Sequence, residues 1–205
     1  MLINAVPGPQ NTGDGGTGNP ARGGRQGDII VSELHGRYYE QTYRGNMFSV
    51  ASQAVATTTV GLATTYTGLC LANPISSTVN LLLNKCTLMQ SVIQATQVEG
   101  YAIAFGSNKT TNVTLSTPAT TQSNIIGSGY VSKAVAATSA TLPTAPLYGG
   151  FLQNTAAAST NGPGAIIDFE GSIILPPGAY ACFVTPTQAS VAGLWFSFQW
   201  EENPQ

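Results

Sequence analysis

GSIILPPGAYACFVTPTQASVAGLWFSFQW, residues 171–200, holds three consecutive strand signals, each with its own stop. Ile173, Ile174 and Leu175 form an apolar, β-branched run that ends at Pro176-Pro177-Gly178. The two prolines fix φ and donate no N–H, and Gly178 is free to turn. A second run, Tyr180 to Val184, is stopped by Pro186. In the third, Leu194, Phe196, Phe198 and Trp200 alternate with Trp195, Ser197, Gln199 and Glu201. Side chains two apart share one face of a strand, so the first set makes an apolar wall and the second a mostly polar face that carries Trp195. Read as a meander, the three strands need another sheet to cover them, and the core of the fold belongs here.

The chain has 205 residues, enough for one domain with an extension. Apolar residues make up 42%, sufficient for a core, but charged residues only 8%. Typical soluble domains carry roughly 25%; here Ser, Thr, Asn, Gln, Gly and Ala take their place. A surface of small neutral side chains is weakly self-repelling, which favours burial against other subunits. A secreted or cell-surface β protein is the other reading such a composition allows. The net charge of −2 gives no reason to expect a nucleic-acid partner. No apolar run approaches the roughly 20 residues of a membrane-spanning helix, and the N-terminus lacks the basic and long apolar regions of a signal peptide. The chain therefore reads as made and kept in the cytosol until assembly, with no membrane partner. Cys70, Cys86 and Cys182 are odd in number and sit within apolar runs. They read as buried, reduced, structural thiols, with no metal site and no cofactor implied.

Residues 1–28 differ from the rest. PGPQNTGDGGTGNPARGGRQG, residues 7–27, is dense in Gly and Pro and has almost nothing to bury after Val6. Alone in water it should be disordered, so it reads as an extended arm laid on a partner. Val6, Pro7, Pro9, Pro20, Arg22 and Arg25 are its candidate contacts, the two arginines suiting an acidic groove. The glycine spacing is no phosphate loop, because no strand precedes it and no GK[ST] follows. Residues 29–50, IIVSELHGRYYEQTYRGNMFSV, read as a linker, a short helix or extended segment between the arm and a β-domain at 51–205. His35 is the single histidine, with Ser32 and Glu33 near it in sequence. That is an incomplete triad, and no catalytic set is legible.

From residue 53 onward the chain is a series of short strand signals and breakers. Val55–Val60, Tyr66–Ala72 and Thr78–Val92 read as strands, the last with Val79, Leu81, Leu83, Cys86, Leu88 and Gln90 on one face. Gln97–Phe105 and Val113–Leu115 flank a turn at Asn108–Asn112 and read as a hairpin. Residues 116–164 are Thr-, Ala- and Pro-rich and read as long surface loops around one or two short strands such as Ile125–Ala136. Asn108 and Asn112 begin glycosylation sequons, which mean little without a secretory signal. Asp168 and Glu170 lack a third metal ligand nearby and read as rim charges. Many short strands, turn signals at short intervals and no convincing helix after residue 45 predict an all-β, jelly-roll-like antiparallel β-sandwich with an extended N-terminal arm. An immunoglobulin-like sandwich is the alternative, but its Cys…Trp…Cys spacing is absent.

Two stretches carry a family resemblance. SIILPPGAYACFVTP…LWFSFQWEE, with its Pro-Pro-Gly turn and closing Trp-Glu-Glu, resembles small virion proteins of tailed bacteriophages. So does SELHGRYYEQTYRG after a Gly-rich start. The resemblance covers residues 27–50 and 165–202. It implies a capsid decoration or cement protein: a jelly-roll homotrimer on the exterior of an icosahedral head. Its partners would be the major capsid protein and itself, and it would reinforce the shell against the pressure of the DNA. Trp195 is the candidate subunit contact. The alternatives are a receptor- or glycan-binding head-fibre or tail-associated module using aromatics such as Trp195, Tyr130 and Tyr148, or a jelly-roll coat protein that forms the shell alone.

Overall fold

The computed structural model describes residues 5–6, 21–22, 36–58, 60–91, 98–155, 164–186 and 193–205. Compact units comprise residues 1–39 and 40–205. In the first, β1 (Ala5–Val6) runs parallel to β2 (Ala21–Arg22), with Val6 opposite Arg22. The short helix α1 (Tyr39–Tyr43) spans the division, and just beyond it Arg44 pairs with Glu40 at 2.8 Å. Both partners are exposed, so this i,i+4 pair adds only a few tenths of a kcal/mol.

The second unit is an all-β sandwich. One sheet contains β3 (Met47–Ala51), β5 (Val79–Gln90), β8 (Gln122–Ser123), β11 (Gly164–Leu175) and β13 (Leu194–Pro204), in the order β11-β5-β13-β3-β8. The other contains β4 (Thr65–Ala72), β6 (Val98–Ser107), β7 (Thr114–Ala119), β9 (Val135–Thr141), β10 (Leu147–Thr155) and β12 (Ala179–Val184), in the order β10-β6-β12-β4-β9-β7. The strand pairings in both sheets are antiparallel. Apart from the β7–β9 insertion, β3, β5, β11 and β13 fill one sheet and β4, β6, β10 and β12 the other. The late strand β13 returns between β3 and β5, and β12 returns between β4 and β6. Two interwound Greek keys of this kind make a jelly roll.

The core lies where those two returning strands face each other. Phe183 of β12 sits 4.7 Å, centroid to centroid, from both Phe196 and Phe198 of β13. Trp200 is completely buried and stacks on Phe48 at 6.2 Å. The alternation along β13 holds: Leu194, Phe196, Phe198 and Trp200 are buried, and Trp195, Ser197, Gln199 and Glu201 are partly exposed. β12 is buried along its whole length, as its unbroken apolar run requires of a strand covered on both faces. Ala181 and Phe183 point into the sandwich core, while Tyr180, Cys182 and Val184 belong to a second buried cluster with Tyr66, Cys70, Ala102 and Ala104. Leu62, Val113, Leu115 and Val135 pack against that cluster. Tyr66 fastens it by donating its hydroxyl to the carbonyls of Leu69 and Phe183.

Several sequence expectations need correcting. Residues 171–200 are no meander, because β11 and β13 lie in one sheet with β5 between them and β12 lies in the other. A strand buried on both faces needs neighbours and cover on every side, so β12 takes a central place. The expected hairpin of 97–105 with 113–115 does not form: β6 is already paired on both edges, by β10 and β12, and β7 crosses to pair with β9. The segment read as a linker gives Met47–Val50 to the five-stranded sheet. Residues 116–164 contain most of β7 and the whole of β8, β10 and β9, whose small Ala136, Ala137 and Ala140 are buried. Packing decides here against weak local propensity. Among the described residues of 55–60, Ala56 bridges to Leu194 and Val60 to Thr185 in place of the expected strand, and the strand expected from Ile125 begins at Val135.

The inward set of β5 changes phase, from Leu81 and Leu83 to Cys86, Leu88 and Gln90. A strict period of 2 cannot connect them without an extra residue. Trp200 pairs with Leu83 but Gln199 with Lys85, so Asn84 is that residue, a β-bulge. Asn84 is buried and donates to the Met47 sulfur at 3.4 Å.

Two outcomes follow. Trp200→Ala should cost about 3–5 kcal/mol, as large core truncations do, and Trp195→Ala much less. Urea titration checks this, and coincident midpoints would refute the register. Burial pushes the Cys70 and Cys86 thiols up to about 12 and Cys182 well above its usual range. The folded state thus holds its thiol protons where the unfolded state has lost them, so stability should fall as pH rises from about 9 towards about 12. Native protein near neutral pH should resist alkylation, and denatured protein should titrate three thiols; fewer would reveal a disulfide.

Candidate functional site

The Pro176-Pro177-Gly178 turn is the centre of a rigid end of the sandwich. Gly178 has φ of 85°, and a Cβ there would run into the carbonyl of Asn108. Its N–H donates to Asn73 O at 2.8 Å, and its own carbonyl accepts Asn108 N–H at 2.8 Å. Asn73 is buried, and its amide nitrogen donates to Val79 O at 2.8 Å and Leu175 O at 2.9 Å. Lys109 donates to Pro177 O at 2.7 Å, and the side-chain oxygen of Asn112 accepts Ile75 N–H at 2.8 Å. The Asn108 oxygen accepts the N–H groups of Thr110 and Thr111 and the Thr110 hydroxyl. Both sequon asparagines therefore serve as turn acceptors, and the loops after β4, β6 and β11 are one hydrogen-bonded block.

Glu202 fastens the 124–134 segment to β13. Its carboxylate is buried and accepts the Ser132 hydroxyl, Lys133 N–H at 2.8 and 3.1 Å, Ala134 N–H at 3.3 Å and the Trp200 indole N–H at 3.4 Å. Charge-assisted bonds converging on one carboxylate satisfy a group that burial alone would penalise. The segment's other end is held by Asn124 N–H to Met47 O at 2.9 Å. Between these anchors, Ile126, Tyr130 and Val131 are exposed. Sequence reasoning missed this role of Glu202; the closing Trp-Glu-Glu was its one local trace.

Asp168 accepts Glu170 N–H at 3.3 Å inside a bulge where Glu170 and Gly171 have φ of 51° and 79°. Among the described residues, no group of three or more His, Cys, Asp or Glu could hold a metal ion. Ser32, Glu33 and His35 lie outside the described residues. One cleft of about 490 Å³ is lined by Gln53–Thr57, Thr117–Thr120, Thr67, Thr138 and Ser139. Another, of about 470 Å³, is lined chiefly by Phe105, Leu147, Ile173, Ile174, Leu175 and Pro176. Among the described residues, neither lining includes an acid, a base or a thiol.

The sheet edges are blunted against strand addition. β7 carries Pro118, β8 has two residues, β10 has repeated register shifts, and β11 breaks its register between Asp168 and Ile173. Trp195 is partly buried beside Met89 and donates its indole N–H to Ser91 Oγ at 3.0 Å. Of the arm residues, Val6 and Arg22 are placed in β1 and β2, and Pro7, Pro9, Pro20 and Arg25 lie outside the described residues.

Glu202→Ala should destabilise the protein by about 1.5–3 kcal/mol, the usual cost of stranding donors that served a charged group. Limited proteolysis should then cut between 124 and 134 well before global unfolding. Unchanged cleavage would mean that the carboxylate does not hold this loop.

Comparison with protein-family models, with curated proteins and with solved structures finds no match for this chain.

Proposed function

We propose that this chain is a virion structural protein, a decoration subunit that stabilises an icosahedral phage head by binding its major capsid subunits. The observation that carries the reading is a rigid sandwich with blunted edges and neutral clefts, in a chain of which only 8% of residues are charged. Such a molecule is suited to embedding in a larger assembly through faces and loops. The sequence resemblance of residues 27–50 and 165–202 supplies the virion context. Mechanistically, a subunit that binds only the assembled lattice stabilises that lattice by RT ln(1 + [L]/Kd) per site. The Gly-rich arm loses conformational entropy when it docks, so it is matched to a groove that exists only after the shell has formed.

Deleting residues 1–28 should weaken head attachment and shift the melting temperature of the free protein by no more than a few degrees, because residues 40–205 contain their own core. The Arg22→Ala, Arg25→Ala double variant should lose part of the attachment, with a larger deficit at low salt than at high salt, where screening already weakens the wild-type contact. Head occupancy and free-protein melting, measured side by side, check both halves. Full occupancy after deletion would remove the arm as the anchor, and loss of folding would make it part of the domain.

A further inference from the structure

Cys70 and Cys182 stand directly opposite each other on β4 and β12, the two central strands of the six-stranded sheet. Both are completely buried, in the cluster on the face of that sheet turned away from Phe183. The ladder fixes how close they come. Asn73 N–H donates to Ala179 O at 2.9 Å, which makes Asn73 and Ala179 a hydrogen-bonded pair. Hydrogen-bonded and non-hydrogen-bonded pairs alternate along an antiparallel ladder. Counted down the register through Ala72–Tyr180 and Leu71–Ala181, Cys70–Cys182 falls at a non-hydrogen-bonded position. The other edge of β12 agrees: Asn108 N–H donates to Gly178 O at 2.8 Å, so the backbone groups of Gly178, Tyr180 and Cys182 are turned towards β6 and away from β4. At a non-hydrogen-bonded position the Cα atoms lie about 4.5 Å apart and the side chains are at their closest. That separation is inside the roughly 4.4–6.8 Å that disulfides span.

Small neighbours leave room for a bridge. Ala104 of β6 flanks Cys182 and Ala137 of β9 flanks Cys70, so the row across four strands reads Ala-Cys-Cys-Ala. Tyr66 ties the two strands together beside the pair, because its hydroxyl bonds the carbonyls of Leu69 and Phe183, the residues next to Cys70 and Cys182. Cys86 lies in the other sheet, opposite Ile167 and Phe198. We propose that Cys70 and Cys182 are a disulfide site, which closes when the chain folds in the presence of a low-molecular-weight disulfide such as oxidised glutathione and stays as two thiols when it folds under reducing conditions. One cysteine thiolate attacks a sulfur of the oxidant and expels the first glutathione thiolate, leaving a mixed disulfide. The second thiolate attacks the protein sulfur of that bond and expels the other glutathione. Two electrons pass from the cysteines to the oxidant, and the two protons they lose end on the two glutathiones. Folding then seals whichever state has formed. Burial holds the Cys70 thiol at about 12 and the Cys182 thiol well above its usual range, which leaves almost no thiolate for exchange. The bridge needs neither a head nor a partner subunit, so it stands apart from the function proposed above.

The test refolds the full chain from denaturant in reduced glutathione or in a mixture rich in the oxidised form. Where refolding fails, expression in a reducing cytosol and export to an oxidising periplasm supply the same two arms. Protein folded reduced should titrate all three cysteines once denatured. Protein folded under the oxidant should titrate Cys86 alone, weigh two hydrogens less, and yield on digestion a peptide pair joined through Cys70 and Cys182. Its melting temperature should be higher by roughly 5–15 °C, the effect of closing so long a loop in a chain of this size. Cys70→Ala and Cys182→Ala should form no internal bridge in either buffer, with Val in place of Ala where the smaller side chain does not fold. Folded reduced protein moved into the oxidising mixture should keep its thiols for many times the period in which the refolding chain closes the bridge. Three free thiols after oxidative folding, a bridge through Cys86, or a bridged form that melts below the reduced one would each overturn the proposal. Oxidation of the folded protein as fast as of the unfolded chain would overturn the sealing.

Discussion

Phe183, held between Phe196 and Phe198, is the contact on which this sandwich depends. It joins the central strands of the two sheets, and each of those strands is hydrogen-bonded on both sides: β12 to β4 and β6, β13 to β3 and β5. Burial of aromatic rings supplies most of its strength, and ring geometry adds about 0.5–1.5 kcal/mol per pair. Trp200 against Phe48 extends the same wall to β3. The outer strands are positioned by the inner ones, which is why the edges can tolerate bulges, proline and two-residue strands.

Away from this wall, neutral hydrogen bonds hold the molecule in shape. Asn73, Asn108 and Asn112 lock three loops together. Thr58 bonds Thr185 at 2.9 Å, and Thr87 bonds Ser197 across the outer face of the five-stranded sheet. Glu202 adds a carboxylate, and its partners are backbone N–H groups, a hydroxyl and an indole rather than a cation. Interactions of this kind are short-ranged and little affected by salt, unlike pairs of surface charges.

What could be read from sequence was whatever burial writes into a single strand. The alternation along β13 gave Trp200 and Trp195 their faces, and the apolar alternation along 78–92 gave β5. The phase change at Asn84 was already present in the positions assigned to one face, although its cause, a bulge, needs the partner strand to be seen. Strand partners were not legible, because β6 and β7 adjoin in sequence yet lie on opposite sides of their sheet. Nor was the 124–134 loop, whose anchor Glu202 is 70 residues from Ser132. Ala-rich β9 has too little intrinsic preference to announce itself, and it is a strand because β4 and β7 flank it.

The place of β13 between β3 and β5 also bears on how the molecule is made. During synthesis from the N-terminus, both neighbours emerge long before the strand that joins them. Until then the apolar faces of Phe48, Val50, Leu81 and Leu83 lack the wall formed by Phe198 and Trp200. Folding that waits on so distant a pairing is slow, and it leaves sticky intermediates exposed on the ribosome. The sparse charge that suits an assembled subunit gives the nascent chain little electrostatic protection during that interval.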